Sequence, residues 1–468
     1  MRRDHGSGAG RRRAAAVALA VGVAAGAGAC APASETESDT LVVWSLENLP
    51  DRVAATKANL KKFTKKTGIK VELVAVDEAQ VPSLIQSAVL SDTLPDIIGS
   101  LSLSYVRQLH GLGLLDTKTS GSVVADLGST TFEKSALELT RDGSQQLAVP
   151  SDAWTQILIY RKDLFRKAGL KPPTTYDAIR TAAQKLNTKG RFGITLATDP
   201  ADVFTTQTFE SMALSNGCQL VTGKGEVALN SPPCQETWNF YGELATKRSP
   251  KGTQSVDSTR ASYFNGDAAM TIWSTFILDE LAGLRNDAAP ACDQCEDDPE
   301  WLAKNSGVVT AIGGPDKPQG TTYGEVTSWS IMEGAKAADS SKLVRYMLSE
   351  GYTDWLGMAP EGKFPVRTGD ADNPKRFTNA WADLKAGVDT KKPLSEVYDP
   401  QTISQLGSVA QRIDRWAIAE GQGGLLGPVS SQLPISKTVS ELGSGALNPT
   451  GAARTAQQDV VTIQEAND

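Results

Sequence analysis

Histidine is nearly absent from this chain: His5 and His110 are the only two in 468 residues. Hydrolysis of the Ser-His-Asp kind needs a general base, and His110 is the one candidate beyond the N-terminal leader. No serine sits in a G-x-S-x-G turn either. No P-loop or G-x-G-x-x-G follows a strand pattern, so nucleotide chemistry lacks support. Cations are also in deficit. Lys and Arg number 47 against 54 Asp and Glu, a balance of −7. That opposes binding to nucleic acid or an anionic membrane through charge. Beyond the leader no run is long and apolar enough to cross a bilayer. Cysteine totals five, and Cys30 is the only one in the first 217 residues.

The lone thiol sits at a seam. Residues 2–13 carry five arginines against one aspartate, and residues 14–29 are Ala, Val, Leu and Gly only. With the A-x-A ending Ala27-Gly28-Ala29, residues 1–29 read as a secretory signal. Two cleavage readings remain open. Cleavage after Ala29 releases a soluble protein, or Cys30 becomes the first residue and carries a lipid. The second gives the thiol a use, because "AGAC" resembles a bacterial lipoprotein box, although Ala27 departs from the usual Leu. Arg11-Arg12-Arg13 permits a twin-arginine route, with poorly matching flanks. Residues 30–40 then form a lipidated N-terminus and tether. Removing the leader leaves 42 − 53 = −11.

Cys218, Cys234, Cys292 and Cys295 form an even set, which in an exported chain reads as two disulfides. "QLVT" and "EVALN" alternate like strands around Gly223-Lys224-Gly225, and such a hairpin brings Cys218 and Cys234 together. Cys292 and Cys295 then close a small loop. The rival reading of C-x-x-C is half a zinc site or a redox pair, but His110 is the only histidine left and no second C-x-x-C exists.

Along the chain, "LVVW" reads as a buried strand, "DRVAATKANLKKFTKKTG" as a helix stopped by Gly68, and "IKVELV" as the next strand. "VPSLIQSAVLSD" is a helix and "PDIIGS" a third strand. This alternation predicts a parallel, doubly wound α/β sheet, with ligand beyond the strand ends at Trp44-Ser45 and Gly99-Ser100. The pattern recurs from "ILIY" through a helix capped at Thr174 to a strand at "FGITLA". "SSKLVRYMLSEGYTDWLG" and "TISQLGSVAQRIDRWAIAEG" read as helices, the latter within a helical tail.

"FTKKTGIKVELV", "LPDIIGSLSLSYVRQLHGLGLLDTKT", "AVPSDAWTQILIYRKDLFRKAGLKPPTTYDAI", "YFNGDAAMTIWST", "GEVTSWSIMEGAKAADSSKLVRYMLS" and "GKFPVR" together carry a resemblance. In order and spacing they are similar to the family 1 extracellular solute-binding proteins of bacterial ABC importers, the maltodextrin-binding relatives. The resemblance covers about residues 41–465. It implies a two-lobed periplasmic-binding-protein fold of type II kind, each lobe a doubly wound sheet flanked by helices, with a helical C-terminal tail. Carried onto this chain, lobe 1 is 41–149 plus 311–350 and lobe 2 is 150–310 plus 351–468. It implies a monomeric receptor held by the Cys30 lipid at the outer face of the cytoplasmic membrane. Ligand is trapped by hinge closure and passed on to the permease subunits, without reaction and without a cofactor or metal.

A sugar site needs flat aromatic faces and fixed donors and acceptors. At the positions matching the family's cleft stand Trp44, Glu47, Ser100, Asp152, Trp154, Trp273, Glu325, Trp329 and Arg367. They imply a neutral carbohydrate, an oligosaccharide. Trp238, Trp301, Trp355, Trp381 and Trp416 read as packing. Two alternatives stand beside this. A secreted glycoside hydrolase also uses paired carboxylates in an aromatic cleft, but nothing singles out an acid and a base. A receptor for a charged solute would want more bases for a phosphate ester, or more acids for a polyamine.

Overall fold

In the computed structural model, which describes residues 39–467, strand β1 (Thr40–Ser45) lies between β2 (Lys70–Ala75) and β3 (Ile97–Leu101) and runs parallel to both. The signal reading over 1–29, Cys30 and the tether as far as residue 38 lie outside the described residues. Helix α1 (Pro50–Thr67) joins β1 to β2, and Gly68 stops it in the left-handed conformation at φ 78°. Helix α2 (Val81–Ser91) leads to β3, and α3 (Leu103–Gly111) and α4 (Thr117–Leu127) follow. Alternation along β1 sends Leu41 and Val43 to one core with Phe63 and Ile97. Trp44 faces the other way, against a core of Val81, Ile85, Ile98 and Val106.

Strand β4 (Val149–Arg161) is 13 residues long and buried over almost its whole length. Its later half, from Gln156 to Arg161, pairs antiparallel with β5 (Met270–Ser274) and β6 (Ser306–Val309). Its earlier half pairs antiparallel with β7 (Thr322–Ile331), which itself pairs antiparallel with β3. β4 and β7 therefore tie the parallel region to a second region. That second region is only partly parallel, with single parallel bridges at Phe192–Ala268 and Thr195–Thr271 where "FGITLA" reads as a full strand. Helices α5 (Val203–Ser215) and α6 (Pro232–Lys247) belong to it, and the hairpin turn before α6 forms as expected, with Ala228 N donating to Leu220 O. Cys218 is bonded to Cys234, and Cys292 to Cys295.

After β7, α7 (Ala337–Met347) and α8 (Tyr352–Leu356) pack in the core of β1 and β3, as does Phe377. Tyr352, Trp355 and Leu356 are buried in the same core as Trp329. The chain then returns through β8 (Phe364–Pro365), which pairs with Asp152 and Ala153 of β4. The run read as one helix from Thr402 breaks after Leu406, and β9 (Ile413–Asp414) pairs parallel with Thr322–Tyr323 of β7. Helices α9 (Leu426–Gln432), α10 (Pro434–Ser444) and α11 (Pro449–Glu465) end the described chain, α10 lying on α5 and α6, α11 on α6 and α10, and α9 on α3.

Candidate binding cleft

β1 and β3 end at the same edge, and a cavity of about 650 Å³ opens beyond them. Such strand ends are where open α/β sheets take ligands. The far wall comes from α5 (Thr206, Gln207, Glu210) and α9 (Ser430, Ser431).

Two backbone irregularities shape the floor. β3 slips register between Ile98 and Leu101, and Ser100 there holds φ 58°, a left-handed conformation costly for a residue with a Cβ. The slip turns Ser100 Oγ toward Glu47, to which it donates at 2.7 Å. Opposite, β4 skips Ser151 between the pairs Pro150–Ser328 and Asp152–Thr327. Bulges commonly re-aim side chains in this way beside functional sites.

Glu47, just past β1, accepts from Arg52 of α1 at 3.0 Å and lies 2.5 Å from Lys363 Nζ. Burial alone would raise its pKa, but Lys363 and Arg52 outweigh it and hold the carboxyl at about 2. Asp152 accepts from Lys363 at 3.1 Å, from Trp355 Nε1 at 2.7 Å and from Ser151 Oγ at 2.6 Å. Glu325 of β7 accepts at 2.6 Å from the backbone N–H of Leu103, one of the donors that the first turn of α3 leaves unpaired. Its other oxygen pairs with Arg415, whose Nε donates at 2.9 Å to Glu210. Burial pushes the Glu210 carboxyl up despite Arg415 beside it. Trp154 is half-buried at the cavity, with Phe276 and Tyr323 at ring-centre distances of 6.3 and 6.2 Å. Tyr105 also lines the cavity.

Glu47, Ser100, Asp152, Trp154 and Glu325 thus meet in one cavity. The other four candidates lie elsewhere, each for an identifiable reason. Trp44 is turned by strand alternation toward α2 and α3. Trp273 packs on Phe204 and donates its Nε1 to Val256 O at 3.1 Å. Trp329 is fully buried against Trp355; Gly99 leaves room for it, since a Cβ there would stand 2.5 Å from the indole. Arg367 donates to Leu348 O at 2.5 Å and Leu127 O at 3.0 Å, tying the carboxyl ends of α7 and α4, where orphan carbonyls favour a cation. Arg52, Glu210, Lys363 and Arg415 line the cavity without having been singled out. Lys363 lies inside "GKFPVR", four residues before the arginine that drew attention. Among the described residues no group of three or more His, Cys, Asp and Glu is placed to hold a metal.

The model of bacterial extracellular solute-binding proteins matches residues 47–354. The Escherichia coli (strain K12) protein YcjN, provisionally named an ABC transporter periplasmic-binding protein, is 30% identical over 325 residues, 68% of this chain and 70% of that one. Among solved structures, the GacH receptor of Streptomyces glaucescens, studied unliganded and with acarbose, aligns with TM-score 0.67 and 18% identity over 91% of this chain and 98% of its own. Maltose-bound MalE3 of T. maritima aligns with TM-score 0.68 and 16% identity over 91% and 99%. The cyclic α-maltosyl-1,6-maltose binding protein of Arthrobacter globiformis gives 0.67 and 19% over 91% and 99%. At these identities the structures establish the mixed α/β periplasmic-binding-protein fold. The extent of the family match and the identity to YcjN go further: this chain belongs to the bacterial extracellular solute-binding proteins, non-enzymatic receptors for transport.

Proposed function

We propose that this chain is the receptor of an ABC importer and takes a neutral carbohydrate, an oligosaccharide, between two lobes joined by β4, β7 and β8. The observation that carries the reading is the lining of the cavity. Glu47, Asp152 and Glu325 present carboxylate acceptors, Ser100, Ser102 and Thr327 add hydroxyls, and Trp154, Tyr105 and Phe276 add aromatic surface. Sugar hydroxyls and ring faces are complementary to that mixture. Each of the three acids is also paired to a buried cation, which suits an uncharged guest. The cavity volume lies within the range of small-molecule sites and leaves room for more than one ring. The fold neighbours named for maltose, acarbose and a cyclic maltooligosaccharide agree with this class of ligand.

In this reading ligand binding closes the two regions about the crossing strands, and the permease recognises the closed form. Lipid on Cys30 holds the receptor beside its transporter at the outer face of the cytoplasmic membrane. A thermal-shift panel of mono- and oligosaccharides, phosphate esters and polyamines tests the proposal. A neutral sugar that binds the folded state raises the melting temperature, increasingly so as its concentration exceeds its Kd. A response to polyamines or phosphate esters with none to sugars refutes it. Metabolic labelling with a palmitate analogue tests the anchor, and label retained in a Cys30→Ser variant excludes that site.

A further inference from the structure

Two buried cations stand behind the carboxylates of the cleft, and an ordinary core would not need them. Lys363 is 1% exposed, sits between Glu47 and Asp152, and lies 4.4 Å from the centre of the Trp355 ring. Arg415 is 4% exposed and joins Glu210 to Glu325. Removing such charges from water is costly, and apolar residues of similar volume commonly serve stability as well or better. Their distinctive effect here is on the field in the cavity. In the two ion-pair clusters, four carboxylates (Glu47, Asp152, Glu210 and Glu325) meet three cations (Arg52, Lys363 and Arg415), a local formal charge of 3 − 4 = −1, while Asp77, Glu78 and Asp202 add acids elsewhere in the lining.

We propose that Lys363 is a positioning residue that sets the charge selectivity of the cleft: it fixes Glu47 and Asp152 as acceptors for hydroxyls while cancelling their pull on an amine. The inference rests on the carbohydrate reading above and deepens it, because it separates a neutral sugar from its amino-sugar counterpart. A neutral hydroxyl donates to a carboxylate that already holds a cation, since each carboxylate has about four lone-pair sites. An ammonium finds there a cation it must approach. Without Lys363, Glu47 and Asp152 would face each other with only Arg52 near, and the same pocket would attract a protonated amine. The charged or titratable groups around Lys363 are Glu47 beyond β1, Asp152 of β4, Arg52 of α1 behind Glu47, and Glu361 two residues back on its own segment. Glu78, at the exposed edge of the cavity, also lies within electrostatic reach of Glu47.

The test compares the mature protein with Lys363→Gln, Lys363→Arg and Glu47→Gln, using maltotriose, cellotriose, the fully deacetylated glucosamine trimer and spermidine. Calorimetry is run from pH 4 to 5.5, below the range in which Glu78, pushed up to about 7 by burial, ionises. The wild type binds a neutral trimer at least tenfold more tightly than the amino trimer, with little change in neutral affinity over that range. In Lys363→Gln the ratio of neutral to amino affinity falls at least tenfold. Neutral affinity also becomes pH-dependent, as Glu47 returns toward its ordinary range. Lys363→Arg keeps the wild-type ratio. Glu47→Gln leaves Lys363 facing fewer carboxylates and shifts the ratio the other way, so the proposal stays decidable if Lys363→Gln does not fold. If a folded Lys363→Gln keeps both the ratio and the flat profile, or if Glu47→Gln lowers the ratio, the inference is overturned while the carbohydrate reading stands. If the wild type binds spermidine and no sugar, the carbohydrate reading fails and takes the inference with it.

Discussion

At the scale of the residue, side-chain direction separates the two kinds of tryptophan. Trp154 reaches the cavity, whereas Trp44, Trp273 and Trp329 lie near strand ends but point into packing. Nothing local in the sequence distinguishes them, because an indole suits a core and a sugar face equally well. The carboxylates were more legible. Glu47, Asp152 and Glu325 follow strand ends or interrupt buried strands, where an ionised group needs a partner and a reason. Their partners were not legible, because Lys363, Arg415 and Glu210 come from segments over 200 residues away from one or other member of each pair. Accordingly, Trp154→Ala should weaken sugar binding about tenfold or more, roughly 1.4 kcal/mol, as read by calorimetry. Trp273→Ala should leave affinity intact while costing about 3–5 kcal/mol of folding stability, the range for buried Trp truncation. If the two variants exchange these phenotypes, the cleft is misplaced.

At the scale of the element, regular structure was readable where local signals agree. Gly68 and Gly169 stop their helices in the left-handed conformation, as glycine after a periodic run suggests. The helix over Tyr176–Leu186 shows the limit of such signals. Its cap is Thr175, which accepts from Ala178 N at 3.2 Å, one residue past the Thr174 read from the sequence. The larger miss is β9. "SQLGSVAQRIDRW" has helical spacing, yet Ile413 and Asp414 extend to pair with β7. Tertiary pairing overrides the local pattern there, and it delivers Arg415 to the cleft. Gly99 in β3 gives a direct test of packing between strand and core. Gly99→Ala drives a methyl into the Trp329 ring and should cost about 1–3 kcal/mol by overpacking, seen as a lower denaturant midpoint. A smaller residue at Trp329 should recover part of it, and equal loss in the double variant would count against the mechanism. The Cys218–Cys234 bond closes a loop with a sequence separation of 16 between α5 and α6. Its loss should therefore remove about 3 kcal/mol on the chain-entropy account, measurable as the difference in unfolding free energy between the wild type and a Cys218→Ala, Cys234→Ala variant, neither being exposed to reductant.

At the scale of the whole molecule, electrostatics bends the stability curve from both sides. Glu47 is ionised more readily in the fold than in the open chain. Its contribution is present above its ordinary 4.5 and lost as pH falls toward about 2. Glu361 has the opposite sign. Burial, and then the neighbouring Asp279, raise its pKa against the pull of Arg52 and Lys391. The open chain therefore releases this proton first, and stability declines as pH rises above 4.5, by at most about 1.4 kcal/mol per pH unit for one proton. Glu361→Gln should raise the melting temperature more at pH 8 than at pH 5. An equal shift at both values would show that Glu361 carries no extra proton in the fold.

The three neighbouring strands β8, β4 and β7 have a mechanical consequence. They lie side by side and hydrogen-bonded, and sliding one past another would break ladder bonds whereas bending out of the plane would not. If closure follows the proposed reading, travel of the two halves would follow the out-of-plane bending of these strands. On that reading a guest would be gauged partly by its thickness along the bend, and branched chains should bind more weakly than linear ones of equal length when compared by calorimetry.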